Sequence, residues 1–188
     1  MTDQGTIRLA APSDAAGILD IYAPFILNTA VTFELEVPTV QEMAQRIENT
    51  LARYPWVVWE VDRKVAGYAY ASTYNERAAY QWSVVSSVYV DQSCRKQGGA
   101  TRLYSALRDF LRLQGFHRVY AIIALPNQAS ERFHQGFGFE AVGTFHRAGF
   151  KLGQWHDVGW YELSIDHGGL ESPVKTRTPM EVLKDASG

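Results

Sequence analysis

"SSVYVDQSCRKQGGATRLYSAL", Ser86 to Leu107, decides the fold. A β-prone run ends at Val90, the basic pair Arg95 and Lys96 precedes the small residues Gly98, Gly99 and Ala100, and Leu103 and Leu107 then recur at helical spacing. A strand that turns through glycine into a helix leaves the first backbone N–H groups of that helix unpaired, and such an end attracts anions. Arg95 and Lys96 add positive charge there, while the small residues let a ligand approach the backbone. The spacing Arg95-x-x-Gly98-x-Ala100 matches neither the G-x-x-x-x-G-K-S/T phosphate loop nor the G-x-G-x-x-G dinucleotide turn. A pyrophosphate fits it. Taken alone, the hexamer fits equally well a glycine-softened turn with solvated basic residues.

The segments on either side set the class. Residues 81–90 read as a long strand, 100–114 as a helix with Leu103, Leu107, Phe110 and Leu111 on one side, and 118–125 as a buried strand. A strand-helix-strand crossover of this length predicts a parallel pair. Upstream, Ile7 to Leu9 reads as a short strand, and Ser13 or Asp14 can start a helix bearing Ile18, Ile21, Tyr22 and Phe25. Thr39 to Glu42 has capping-box spacing ahead of Met43, Ile47 and Leu51. Residues 56–61 and 65–72 flank the polar turn Asp62-Arg63-Lys64 as a hairpin. Downstream, 130–135 reads as a short helix, and 139–145 and 158–165 as two strands joined by a long loop. The aromatic-containing segment 28–38 reads as a second long loop, of the kind that lines sites. The whole is a mixed α/β domain over residues 1–166, and 167–188, poor in aromatics and periodicity, reads as a loosely ordered C-terminal extension.

Composition narrows the function. A chain of 188 residues, 46% hydrophobic and 20% charged, supports one globular core. A net charge of -2 and a pI near 6.2 give no general attraction to nucleic acid or to an anionic membrane. No apolar run approaches the ~18 residues of a membrane span, and no signal peptide is apparent, which makes the cytoplasm the expected location. The single cysteine, Cys94, rules out an internal disulfide and a cysteine-based metal cluster.

The turn resembles the acetyl-coenzyme A signature of the GNAT N-acetyltransferase superfamily, Q/R-x-x-G-x-G/A between a strand and a helix. "LPNQASERFHQGFGF" supplies the later elements of that pattern: Asn127, Ser130, His134 and the Gly138-Phe139 pair. "NTAVTFELEVPTVQE", "RAAYQWSVVSSVYV", "ALPN" and "RAGFKLGQWHDVGW" are together similar to the phosphinothricin acetyltransferase branch, over roughly residues 6–165. The resemblance implies a central mixed sheet splayed around acetyl-coenzyme A, with no metal, and direct transfer of acetyl to the α-amine of a small amino-acid-like acceptor of the phosphinothricin, methionine sulfoximine or methionine sulfone type. A homodimer is implied as well. Implied cofactor contacts are Ser87, Val88, Tyr89 and Val90 on the strand, Arg95, Lys96, Gln97, Gly98, Gly99, Ala100 and Thr101 at the turn, and Asn127 and Ser130 beyond. His134 is implied as the acid that protonates the leaving thiolate, or as a substrate contact, the backbone N–H of Val88 as the group polarising the thioester carbonyl, and Ser86 as a group ordering a water chain. Phe33, Arg77 and Tyr80 are implied as the acceptor pocket.

Two positions depart from that branch. Val85 stands where the branch has a glutamate that accepts the ammonium proton, and Asn75 stands where it has a lysine. The proton must then leave to another residue or through water ordered by Ser86 and Ser87; otherwise the enzyme is slower, takes an amine that arrives neutral, or prefers an acceptor other than phosphinothricin. The titratable residues that the resemblance brings near the cleft are His134, Glu34, Glu36, His156 and Asp157. Two other readings fit the same motifs: a module that binds acetyl-coenzyme A with weak or altered activity, and a protein or peptide amine acetyltransferase. The two long loops at 28–38 and 145–158 favour a closed small-molecule pocket over the open groove a peptide requires.

Overall fold

The computed structural model describes residues 5–165 and 172–186. Seven strands form one sheet: β1 (Thr6–Leu9), β2 (Trp56–Val61), β3 (Lys64–Thr73), β4 (Ser83–Val90), β5 (Arg118–Leu125), β6 (Glu140–Lys151) and β7 (Gln154–Ser164), in the spatial order β1-β2-β3-β4-β5-β7-β6. Every neighbouring pair is antiparallel except β4 and β5, which are parallel, as the intervening helix α3 (Gly99–Gln114) requires.

Alternation along the strands sorts the side chains onto two faces. On one, α1 (Ala15–Asn28) and α2 (Val40–Leu51) bury Ile18, Ile21, Tyr22, Met43 and Ile47 against Trp56, Val58, Tyr68 and Tyr89. On the other, α3 buries Leu103, Tyr104, Leu107 and Leu111 against Val57, Trp59, Ala69, Val84 and Val119, and α4 (Gln128–Phe137) joins it through Phe133 and Phe137. The capping box of α2 forms as its spacing predicts, with Glu42 N–H donating to Thr39 Oγ1 and Thr39 N–H to Glu42 Oε2 at 2.7 Å. Asp62 and Arg63 both take left-handed backbone angles (φ 48° and 63°), the geometry that lets a two-residue turn follow the twist of β2 and β3.

Two expectations fail. The supposed loop at 145–158 is instead the body of the β6–β7 hairpin, closed by Leu152 and Gly153. Register shifts between Ala141 and Gly143 and between Phe145 and Gly149 break the two-residue period that would have revealed the whole of β6 in the sequence. The second concerns the C-terminal extension. Residues 167–171 lie outside the described residues, but 172–186 dock on the domain. Trp82 Nε1 donates to Val174 O at 2.7 Å, Arg177 N–H donates to Gln114 O, and α5 (Pro179–Ala186) buries Val182. The signal was present as Thr178-Pro179-Met180-Glu181: Glu181 Oε2 accepts from Thr178 N–H and Glu181 N–H donates to Thr178 Oγ1.

Gln114 ties this segment down. Fully buried at the end of α3, it donates from Nε2 to Arg177 O at 2.6 Å and to Arg53 O at 3.0 Å. Gln114→Ala leaves both carbonyls without that partner and should lower stability by about 1–3 kcal/mol in urea unfolding. A loss below ~0.5 kcal/mol, the scale of an ordinary surface change, would contradict the docking.

Candidate active site

The site is a consequence of incomplete strand pairing. β4 and β5 are in register only over Ser83–Val85 against Arg118–Tyr120. Beyond that point β4 stays paired with β3 as far as Val90, and β5 with β7 as far as Leu125, so each remains extended while their facing edges part. The slot between them is walled by Ser86 to Tyr89 and Ala121 to Ala124, and closed by Val31 on one side and by Asn127, Ser130 and His134 on the other. Backbone N–H and C=O groups on those facing edges have no strand partner, and an extended amide-bearing ligand can supply one.

A groove of about 380 Å³ adjoins the slot at the start of α3, lined by Val90, Arg95, Lys96, Gly98 to Thr101 and the α4 residues Ala129 and Phe133. Asp91 fixes its entrance by accepting from Ser93 N–H. The two glycines have different duties. Gly98 adopts φ +78°, and a Cβ there would meet nothing within 4 Å, so the backbone stands open to the groove. Gly99 is helical and buried, and a Cβ there would fall 2.2 Å from the Trp59 ring: it lets α3 seat on β2. Of the residues the sequence assigned here, Gln97 donates from Nε2 to Ser93 O at 3.4 Å. The Arg95 guanidinium lies 5.9 Å from the ring centre of Phe25, which anchors it beside the groove.

Asn127 and Ser130 begin α4, where Asn127 Oδ1 accepts from Ser130 N–H at 3.2 Å. One turn on, His134 is 5% exposed and both ring nitrogens are engaged. Nδ1 lies 2.8 Å from Ser130 O, an acceptor, so Nδ1 carries the proton and donates it; Nε2 lies 2.9 Å from Tyr104 Oη. Burial holds the imidazole below its ordinary pKa, which keeps Nε2 a lone-pair acceptor for the Tyr104 hydroxyl. Tyr104 Oη is also 3.0 Å from Ser86 Oγ in the slot wall. His134 therefore offers no free N–H to the slot. Tyr104, which reads in the sequence only as one more apolar residue of α3, was missed for that reason.

The residues that the sequence assigned to an acceptor lie toward the other face of β4, the one shared by Val85 and its neighbour Tyr120. Tyr74 stacks on Tyr120 at 4.6 Å and Tyr80 meets Tyr74 edge-on at 5.5 Å, which brings the Arg77–Tyr80 loop over this face. Arg77 has its backbone N–H on Asn75 Oδ1, and among the described residues its guanidinium has no partner. Phe33 packs over Gly149, where a Cβ would fall 2.4 Å from its ring, with His156 at 6.1 Å. The remaining base candidates on this side are committed or exposed. Glu34 is clamped by Arg46 at 2.9 and 3.0 Å and by Tyr22 Oη at 3.0 Å. Asp157 is held below the usual carboxylate range by Arg147 N–H and then by His146, which makes it a poor base. His156 donates from Nε2 to Lys151 O, and Glu36 is exposed.

Known proteins resemble this chain in sequence and in fold. The family described as "Acetyltransferase (GNAT) domain" matches residues 7–160. The phosphinothricin N-acetyltransferase of Streptomyces viridochromogenes is 40% identical over 172 residues, spanning 92% of this chain and 94% of that one. The L-methionine sulfoximine/L-methionine sulfone acetyltransferase of Salmonella typhimurium is 33% identical, spanning 86% and 95%. A GNAT superfamily phosphinothricin acetyltransferase from Sinorhizobium meliloti, solved in complex with AcCoA, superposes with a TM-score of 0.86 at 33% identity over 92% of this chain and 94% of that one. A splayed parallel pair, a glycine turn at the start of a helix and a match over most of the chain agree: this protein belongs to the GNAT acetyltransferase family.

Proposed function

We propose that this enzyme transfers acetyl from acetyl-coenzyme A to the α-amine of a small amino-acid-like acceptor, of the phosphinothricin or methionine sulfoximine and sulfone type named for its relatives. The observation that supports this most is the adjoining slot and groove: an unpaired strand edge leads to a helix start edged with Arg95 and Lys96. The facing backbone of Ser87 to Val90 would bind the pantetheine amides, and the N–H groups from Gly98 to Thr101 the pyrophosphate. Acetyl-coenzyme A supplies an activated thioester, so the protein has only to position it, polarise its carbonyl and manage protons. The Val88 N–H serves the carbonyl in this reading, Phe33 and Tyr80 wall the acceptor, and the Arg77 guanidinium takes its carboxylate. No metal is needed.

We also place the enzyme in the cytoplasm as a homodimer. Among the described residues no helix is long and apolar enough to cross a membrane. Phe145, Phe150 and Trp155 on the β6–β7 hairpin are each more than half exposed, a concentration of aromatic surface that a second copy would cover. Sedimentation should give a dimer that Phe150→Glu with Trp155→Glu converts to a folded monomer; a monomeric parent protein would contradict this.

The acceptor assignment is tested by Arg77→Ala. Losing a charged hydrogen-bond partner costs about 1.5–3 kcal/mol, so KM for a carboxylate-bearing acceptor should rise at least tenfold while calorimetric affinity for acetyl-coenzyme A stays the same. An amine without a carboxylate should be unaffected, and equal losses for both would remove Arg77 from the pocket. Thermal-shift and turnover screening against an amino-acid panel separates the alternatives. Stabilisation by acetyl-coenzyme A with no turnover identifies a binding module, and turnover confined to peptides identifies a protein acetyltransferase.

A further inference from the structure

Val85 leaves the acceptor's face of β4 without a carboxylate, yet the opposite face holds an ordered hydrogen-bond chain. Ser86 Oγ, Tyr104 Oη and His134 Nε2 follow one another at 3.0 and 2.9 Å, contributed by β4, α3 and α4. Ser86 Oγ can also reach Tyr120 O, at 3.2 Å. The direction of the chain is set at its far end. Because Nδ1 must donate to Ser130 O, Nε2 must accept from Tyr104, and the Tyr104 oxygen can then accept from Ser86, whose single hydrogen has Tyr104 Oη at 3.0 Å and Tyr120 O at 3.2 Å as its two acceptors. Ser86 then has a lone pair free on the slot side. With the Ser86 hydrogen on Tyr104 Oη, the nearer of its two acceptors, each hydrogen points inward, from the slot toward the imidazole. We propose that Ser86 and Tyr104 relay the acceptor's ammonium proton to His134, which is the base of this enzyme.

In the forward step an ammonium N–H bond breaks and leaves its electron pair on nitrogen. The proton crosses the slot that Ser86 lines to reach Ser86 Oγ, that of Ser86 goes to Tyr104 Oη, and that of Tyr104 to His134 Nε2. The imidazolium so formed keeps a partner at both nitrogens, Ser130 O and Tyr104 Oη. When the sulfur leaves, the same chain run backwards delivers this proton to the thiolate and restores the neutral ring. The second amine proton, released as the amide forms, passes to solvent. The inference rests on the acetyltransferase reading above and adds to it the identity and route of the base. Tyr104 is a positioning and relaying residue here, since it reaches the reacting atoms only through Ser86.

The surroundings suit the task. The imidazole packs against Tyr104 of α3, Phe133 of its own helix and Phe139 ahead of β6; Tyr104 is the only one of these that titrates, and no carboxylate or cation contributes to the shift of His134. Burial raises the Tyr104 hydroxyl far above neutrality, so it passes a proton on without itself being left ionised. The folded pKa of His134 is depressed, so the ring is neutral and able to accept from below about pH 6.5 upward. The kcat/KM of the native enzyme should therefore level off by pH 7.

Tyr104→Phe tests this while keeping the ring that packs on Phe133, Phe137 and Phe139. Its kcat/KM at pH 7 should fall about 100-fold, and its profile should climb toward the amine's own pKa, because only acceptor that arrives neutral can then react. Ser86→Ala should do the same. Affinity for acetyl-coenzyme A should stay unchanged in both, so a collapse of cofactor binding would count against the acetyltransferase reading itself and a preserved plateau against the relay. Imidazole nitrogen NMR gives a readout independent of turnover. At pH 7 His134 should be neutral, protonated at Nδ1, with the Nε2 resonance moving in Tyr104→Phe. A ring protonated at Nε2, or a Tyr104→Phe enzyme that still plateaus by pH 7, overturns the proposal.

Discussion

The pairing between β4 and β5 stops after three residues, and the rest of the site depends on where it stops. Val85 opposite Tyr120 is the last registered pair, yet both strands run on, each held extended by its outer partner. A four-strand half, β1 to β4, and a three-strand half, β5, β7 and β6, therefore share a hinge and diverge. An unpaired strand edge inside a fold costs free energy unless something satisfies it. In the function proposed above, acetyl-coenzyme A satisfies it, at a position that the hinge prescribes. The closed end of the hinge is itself braced: His117 N–H and Arg118 N–H both donate to Trp82 O, and Trp82 Nε1 donates to the docked C-terminal segment.

Much of this was legible in the sequence because it rests on local chemistry. The strand-to-helix turn at 90–100 announces itself through glycine and charge, the capping box at Thr39 through spacing, and the parallel pair through the length of its crossover. The illegible parts depend on contacts distant in sequence. The first half of β6 was read as a strand, but its continuation to Lys151 hides behind the register shift between Phe145 and Gly149, since a bulge erases the alternation on which strand recognition depends. Gly98 and Gly99 are adjacent and look alike, but one needs a left-handed backbone and the other needs room beneath Trp59, forty residues upstream. Tyr104 differs from its neighbours on α3 only in where its hydroxyl ends, beside Ser86 and His134.

The same distance effect explains the search for a base. Glutamate at position 85 would point to the acceptor's face, and sequence reasoning looks for its replacement on that face. The residues there are already committed: Glu34 to Arg46, Asp157 to Arg147 N–H and His146. Adjacent strand residues point to opposite sides, so Ser86, one position on, opens toward α3 and α4 instead. A valine in the strand therefore leaves the proton's destination to the other side of the sheet.

The account makes the free edges of β4 and β5 the cofactor's binding surface, and amide hydrogen exchange reads that surface directly. With and without acetyl-coenzyme A, protection should rise selectively within Ser86 to Val90 and at Gly98 to Thr101, with Ser83 to Val85 unchanged because those residues are already paired on both sides. Uniform protection across the sheet, or none beyond Val85, would contradict it.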